Sequence, residues 1–387
     1  MTAQPIAATF LSKQTKHFIA GRFFDAGSVI SIQDLGEGLV NDTYLVRTDS
    51  TALPFFVLQK INRRVFPFPE RITANLENLT RHLSGRINDR KGSPNLENFR
   101  LPALLPCIDG NNCHIEESGD YWRALSYIEN SQSLDRIESA RDAEEVGFAL
   151  GHFHNLVADL DPDSMQDSLP GFHITPLYLA HYDRVTKAST RHSSAHTSTD
   201  LAFFEHFVAQ RRAMVPVLEN ARQTGRLKCR IIHGDPKLTN ILFTTHSRKA
   251  LSMVDLDTVK SGLIHYDIGD CLRSSCNVAS ELEREAQAEF DLDICEAILS
   301  GYFQECGTSM TASDIDYLYD SIRLLPFELG LRFLCDYLEG NRYFKVELAE
   351  QNLLRAKLQF HLVRSVEDKE PLIRSLIRSL ALRHRNA

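Results

Sequence analysis

No run in this 387-residue chain approaches the ~18 apolar residues a membrane-crossing helix needs. The opening residues, MTAQPIAATFLSKQTKHF, lack the apolar centre of a secretion signal. A soluble, cytoplasmic protein with no membrane partner is therefore expected. Positive charge is not in excess either. The 43 Lys and Arg stand against 51 Asp and Glu, a formal charge of −8, which argues against the basic surface of a nucleic-acid binder. An acidic balance still permits an anionic ligand, because a few local cations and backbone amides suffice to hold phosphate. The eight cysteines (Cys107, Cys113, Cys229, Cys271, Cys276, Cys295, Cys306, Cys335) include no Cys-x-x-Cys pair. Neither a zinc site nor a disulfide framework is expected, and they read as small buried residues in a reducing compartment. Tryptophan occurs once, at Trp122.

The length suits two lobes. Residues 29–35, 43–48 and 54–61 read as short strands, Pro69 and Glu70 open a helix, and 86–99 is a polar loop. A hairpin turning at Ser118-Gly119-Asp120 follows within 113–128, which completes a small sheet with one helix. Beyond Ile128 the pattern becomes helical. Val146, Leu150, Phe153 and Val157 share one face, another helix spans roughly 201–224, and short strands flank a loop between 230 and 256. Residues 186–200, TKASTRHSSAHTSTD, are polar and of low complexity, and a mobile loop is expected there. The reading is an α+β chain of two lobes, a sheet lobe over 1–129 and a mainly helical lobe over 130–387.

The chemistry is concentrated in Ile231-Ile232-His233-Gly234-Asp235-Pro236-Lys237-Leu238-Thr239-Asn240, followed fifteen residues later by Asp255 at the end of an apolar strand. Phosphoryl transfer needs a carboxylate to accept a hydroxyl proton, hard oxygen ligands for Mg²⁺, and a cation beside the phosphoryl oxygens. The H-x-D-x-K-x-x-N spacing supplies these as Asp235 (base), Lys237 (γ-phosphate) and Asn240 (metal), with Asp255 as the other metal position. His233 reads as a loop brace. Asp257 lies on the opposite face from Asp255 if the strand continues. Asp267 and Asp270 read as helix-capping and loop-bracing carboxylates, with Arg273 open to either role, and His152 and His154 as core residues.

The segments IIHGDPKLTNILF and MVDLDTV…HYDIGD resemble the aminoglycoside phosphotransferase/choline kinase family, which has the protein-kinase-like fold. LGEGLVNDTYLV, FVLQKINRRVFPFP, YWRALSYI and LRFLCDYLEGNRYF resemble, more narrowly, the N-acetylhexosamine 1-kinases. The resemblance implies a kinase that uses ATP and Mg²⁺ to phosphorylate the anomeric hydroxyl of an N-acetylated hexose. It implies a glycine turn at Gly36 and Gly38 over the phosphates, and a third-strand lysine at Lys60, with Gln59 taking the ligand face if the register slips by one. The lysine's carboxylate partner would be Glu77, or else Glu70. Adenine would meet the backbone of Ser126, Tyr127 and Ile128, and Asn41 and Asp42, which adjoin the glycine turn, are candidate contacts to substrate within reach of either ligand. On the acceptor side, Glu328, Arg332 and Asp336 form a polar stripe on an apolar helix, either an ion ladder or a ligand face. The resemblance falls on Arg332 and Tyr343 as sugar contacts. Choline, homoserine, methylthioribose and an aminoglycoside are the competing acceptors, and a nucleotide-binding pseudokinase is the competing class. The partner is thus a small molecule, and monomer and homodimer both remain open.

Overall fold

The computed structural model describes residues 13–23, 28–36, 40–89, 99–189, 198–277 and 288–385. Among these, no helix is long and apolar enough to cross a membrane. The chain divides into two compact units, residues 1–69 with 102–127, and residues 70–101 with 128–387.

The first unit holds helix α1 (Lys13–Ala20) and strands β1 (Val29–Asp34), β2 (Asp42–Thr48), β3 (Phe55–Ile61), β4 (Leu104–Leu105), β5 (His114–Ile115) and β6 (Tyr121–Ser126). Their order is β1-β2-β3-β6-β4, with β5 also paired to β6. The three expected N-terminal strands form, whereas α1 and β4 had no counterpart in the sequence reading. Side chains alternate across a strand. Tyr44, Val46, Phe56, Leu58, Trp122 and Ala124 therefore make one apolar face, which packs with Ile19 and Ala20 of α1 and with Phe23.

The second unit opens with α2 (Pro69–Asp89). The sequence reading placed this helix in the sheet lobe, but residues 70–89 belong with the helical unit. Asn75 shows why. Its buried amide donates to Gln166 O (2.7 Å) and Val259 O (2.9 Å) and accepts from Gln166 N (2.8 Å). A buried amide satisfied at both ends fixes a helix to its neighbours. The helix also runs to Asp89, past the expected loop start at 86, and residues 90–98 of that loop lie outside the described residues.

The remaining elements are β7 (Ser131–Gln132), α3 (Ala140–Leu156), α4 (Thr175–Ser189), α5 (Ser198–Arg211), α6 (Val217–Gln223), β8 (Arg230–Ile232), β9 (Ile241–Thr244), β10 (Ala250–Met253), β11 (Lys260–Gly262), α7 (Ile264–Ser275), α8 (Leu292–Cys306), α9 (Ala312–Asp316), α10 (Leu318–Leu338), α11 (Gln351–Asp368) and α12 (Glu370–Arg385). Parts of the segment expected as a mobile loop are helical, because α4 reaches Ser189 and α5 begins at Ser198. Residues 190–197 between them lie outside the described residues. The single helix expected over 201–224 is split by a 3-10 turn at Arg212–Met214 and by Pro216.

Helices α3 and α8 approach closely enough to need glycine at the crossing. A Cβ on Gly147 would lie 1.8 Å from Ile298 O, and one on Gly301 2.1 Å from Glu144 O. In an open helix Gly→Ala stabilises by about 1 kcal/mol. Here Gly301→Ala is expected to lower stability by about 1–3 kcal/mol through overpacking, read as a lower urea midpoint. A raised midpoint would show that the helices do not meet in this way.

Candidate active site

β8 delivers the chain into His233-Gly234-Asp235, a 3-10 turn at Leu238–Asn240 returns it to β9, and the β9–β10 hairpin ends just before Asp255. Asn240 O accepts Val254 N–H at 2.8 Å, which holds Asn240 beside the strand end that carries Asp255. Gly234 has φ +88, and a Cβ there would lie 2.6 Å from Thr258 O, so both the turn and its packing require glycine.

Buried Asp267 on α7 accepts the His233 and Gly234 backbone N–H groups at 2.7 and 2.8 Å, and His154 Nε2 lies 2.9 Å from the same carboxylate. The loop-bracing reading of Asp267 therefore matches its contacts. His154 is more than core packing, because its other nitrogen meets the Tyr302 hydroxyl at 2.9 Å and links α3, α7 and α8. His152 packs against Phe99 and Phe148 and bonds Glu305. His233 braces the loop. Its Nε2–H donates to Val254 O (3.0 Å) and its Nδ1 accepts Asp235 N–H (3.3 Å). Burial lowers its pKa and keeps the ring neutral.

Around Asp235, Lys237 Nζ (2.6 Å) and Asn240 Nδ2 (3.0 Å) both donate to Oδ2. Among the described residues Oδ1 accepts no hydrogen bond, so it is the oxygen open to an incoming proton. Burial works against the Lys237 ammonium, but Asp235, Asp255 and Asp270 outweigh it and raise its pKa, so Lys237 stays charged. Asn240 uses its amide N–H groups on Asp235, and among the described residues its carbonyl oxygen is left for another partner. Asp255 sits at φ +61, a conformation that costs energy in most residues and recurs at functional sites. An amide oxygen and a carboxylate are hard donors suited to Mg²⁺, which keeps several waters and needs few protein ligands. Among the described residues no group of three or more His, Cys, Asp or Glu forms a denser metal cage. The strand does not continue to Asp257, which lies buried in the 3-10 turn Leu256–Thr258.

Sequence reasoning missed His173. It lies at φ +65 with both ring nitrogens facing acceptors, Nδ1 on Glu328 Oε1 (3.1 Å) and Nε2 on Gly234 O (2.6 Å). Two acceptors require two N–H donors, so the ring is an imidazolium. Burial opposes the charge, but Glu328, Asp270 and the Gly234 carbonyl prevail and raise the pKa above its ordinary value. Thr175 donates to the other Glu328 oxygen at 2.7 Å. Buried Lys260 fastens the preceding loop through Asp167 Oδ1 (3.1 Å) and Phe172 O (3.2 Å). The available signal was the turn Pro170-Gly171 leading into an aromatic pair ahead of a helix.

The expected polar stripe of α10 does not form a ladder. Glu328 serves His173, and Asp336 accepts the N–H groups of Arg342, Tyr343 and Phe344 at 2.7–2.9 Å, shaping the loop that presents Tyr343. Arg332 stands between them within 5.0–5.7 Å of the rings of Phe172, Tyr178, Tyr343 and Phe344. It makes no hydrogen bond or ion pair among the described residues. Burial opposes its charge, but Tyr178, Tyr343, Glu328 and Asp235 raise its pKa further. Asp270 bonds Arg273 Nε at 2.7 Å, and its Oδ2 is buried without a hydrogen bond among the described residues.

In the first unit Gly36 has φ +71, as a turn glycine should, and Gly38 lies outside the described residues. Lys60 shares the face of Phe56 and Leu58, and its Nζ binds Asp120 at 2.7 Å. Glu77, its expected partner, lies on α2 in the second unit, as does Glu70. Asn41 is turned to Asn62 N (2.9 Å), Asp42 is exposed, and Ser126 pairs with Ala103 through N–H and hydroxyl. Ile128 O accepts the Ser131 hydroxyl at 2.6 Å.

The chain matches the phosphotransferase enzyme family over residues 31–303, and it belongs to that family. Three solved structures show the same protein-kinase-like fold. A wild-type aminoglycoside 2'-phosphotransferase-IIIa in its GDP complex superposes with TM-score 0.56 at 15% identity, covering 90% of this chain and 99% of that one. Choline kinase from Cryptosporidium parvum Iowa II gives 0.60 at 12%, covering 95% and 98%. A spectinomycin phosphotransferase complexed with ADP and spectinomycin gives 0.56 at 11%, covering 97% and 99%.

The imidazolium of His173 makes stability depend on pH. A raised folded pKa means that its contribution is complete below about pH 6.5 and is lost as pH rises through the folded value. The melting-temperature gap between the parent and His173→Gln should therefore be largest near pH 6 and narrow towards pH 9. A gap constant over that range would remove the charged pair.

Proposed function

We propose that this phosphotransferase moves the terminal phosphoryl group of ATP to a hydroxyl of a neutral sugar, the anomeric hydroxyl of an N-acetylhexosamine being the narrow form of the reading. The observation that carries it is Arg332. Its guanidinium is permanently charged and caged by four rings, and its N–H donors are unpaired among the described residues, so it calls for a ligand rich in acceptor oxygens. Asp235 is among the groups that raise the Arg332 pKa, which supports reading this cation as part of the acceptor side. A cation there disfavours acceptors that are themselves cationic, such as choline or an aminoglycoside. The exposed ring of Tyr343, on the loop held by Asp336, offers an apolar surface for one face of a sugar ring.

In the proposed reaction Asp235 Oδ1 accepts the proton of the acceptor hydroxyl as its oxygen forms a bond to the γ-phosphorus. The bond from that phosphorus to the β–γ bridging oxygen breaks, and ADP leaves with the electron pair. Lys237 and Asn240 hold the carboxylate in place through Oδ2. Lys237 also offers charge to the phosphoryl oxygens. Mg²⁺, held by Asn240 and Asp255, would supply neutralisation of the phosphate charge.

ADP release with Mg·ATP should be tested against N-acetylglucosamine, N-acetylgalactosamine, glucose, galactose, choline, homoserine and kanamycin, with phosphate position read by NMR. The expected product is an N-acetylhexosamine 1-phosphate. Turnover confined to choline or kanamycin would remove the sugar reading and keep the kinase. Asp235→Asn should lower kcat by about 10²–10⁴-fold with ATP KM little changed. Arg332→Ala should raise sugar KM roughly tenfold or more while ATP KM holds. Equal effects on both would make Arg332 structural.

A further inference from the structure

The ladder of the first unit sorts its polar residues onto two faces. Lys60 lies opposite Asp42 and Trp122, whereas Gln59 lies opposite Thr43 and Arg123. The Lys60 side belongs to Phe56, Leu58, Tyr44 and Trp122, the row that packs with α1. There Lys60 Nζ binds Asp120 at 2.7 Å and sits 5.9 Å from the Trp122 ring centre. A flat ligand has no access to a face closed in this way.

The other face carries two successive rungs. Leu45, Val57 and Leu125 are aligned across β2, β3 and β6, with Leu45 and Val57 only half-buried. The next rung is Thr43, Gln59 and Arg123. It is tied together side chain to side chain. Gln59 Nε2 donates to Thr43 Oγ1 at 3.1 Å, and Gln59 Oε1 accepts from Arg123 Nε (3.0 Å) and Nη2 (2.7 Å). The order also matters. On β2 the polar rung is the one nearer the Gly36 turn, and the apolar rung lies farther along the strand.

We infer that Gln59, held in position by Arg123, is the third-strand residue that meets the nucleotide phosphates in place of the expected lysine, with Leu45, Val57 and Leu125 towards the base on the same face, and that Lys60 is a structural residue of the opposite face. The assignment rests on the nucleotide reading above. Arg123 is a positioning residue: its fork fixes which end of the Gln59 amide points back into the rung.

Binding of the non-hydrolysable analogue Mg·AMP-PNP, followed by titration calorimetry on the full chain, tests this without turnover. Lys60→Gln should bind within roughly twofold of the parent, because it removes only a partly exposed ion pair. Gln59→Glu keeps an acceptor for the Arg123 fork but sets a carboxylate towards the phosphates, and should weaken binding about tenfold or more at an unchanged melting temperature. Val57→Asp, on the half-buried rung, should weaken it likewise and serves if Gln59→Glu does not fold. Tenfold weakening in Lys60→Gln, or parental affinity in a folded Gln59→Glu or Val57→Asp, overturns the face assignment and leaves the kinase intact. A parent chain that binds no analogue overturns the nucleotide reading itself.

Discussion

The carboxylate of Asp267 is the fixed point from which the site is built. It is fully buried, and it is occupied by two consecutive backbone N–H groups and a histidine. In a low-dielectric interior such charge-assisted bonds are strong, and removing one partner costs more than the bond was worth, because the charge stays behind. Holding the amides of His233 and Gly234 fixes the backbone one residue ahead of Asp235. Asp235 therefore inherits its position from a helix, and the glycine contacts between α3 and α8 set the spacing of His154 and Tyr302 behind it.

Around that point the charges alternate. Lys237 lies among Asp235, Asp255 and Asp270, Arg273 holds Asp270, and the His173 imidazolium joins Glu328 to the Gly234 carbonyl. The loop is thus gripped twice, at the N–H groups by Asp267 and at the carbonyl by His173. Gly234 cannot rotate its peptide without losing one hold or the other. Such preorganisation suits phosphoryl transfer, where positioning and charge stabilisation supply most of the catalysis. Arg332 differs from these cations in making its close contacts with rings and no ion pair with a carboxylate among the described residues.

What could be read from the sequence follows from how local the constraint is. Asp235, Lys237 and Asn240 were legible because a six-residue loop must place three chemical types at fixed offsets. Asp267 was legible as a brace because it opens the next helix. His173, Phe172 and Tyr178 were not, since no spacing in the sequence links them to Gly234, which His173 holds, or to Arg332, which Phe172 and Tyr178 flank. The polar stripe of α10 was visible, but its three members serve three different partners, and a helical period shows only that they share a face.

The third strand shows the limit most clearly. In Phe56-Val57-Leu58-Gln59-Lys60 both alternations are apolar until the last polar pair, so the period of two cannot choose between Gln59 and Lys60. The choice is made by α1, some forty residues earlier, whose Ile19 and Ala20 join the row that contains Phe56 and Leu58. Once that row is core, Lys60 must reach the sheet margin, where Asp120 meets it, and Gln59 must look the other way, where Thr43 and Arg123 hold it. A family motif read along the strand favours the lysine because it is the expected residue type. The physics of the sheet favours the residue whose face has not already been used to make the core.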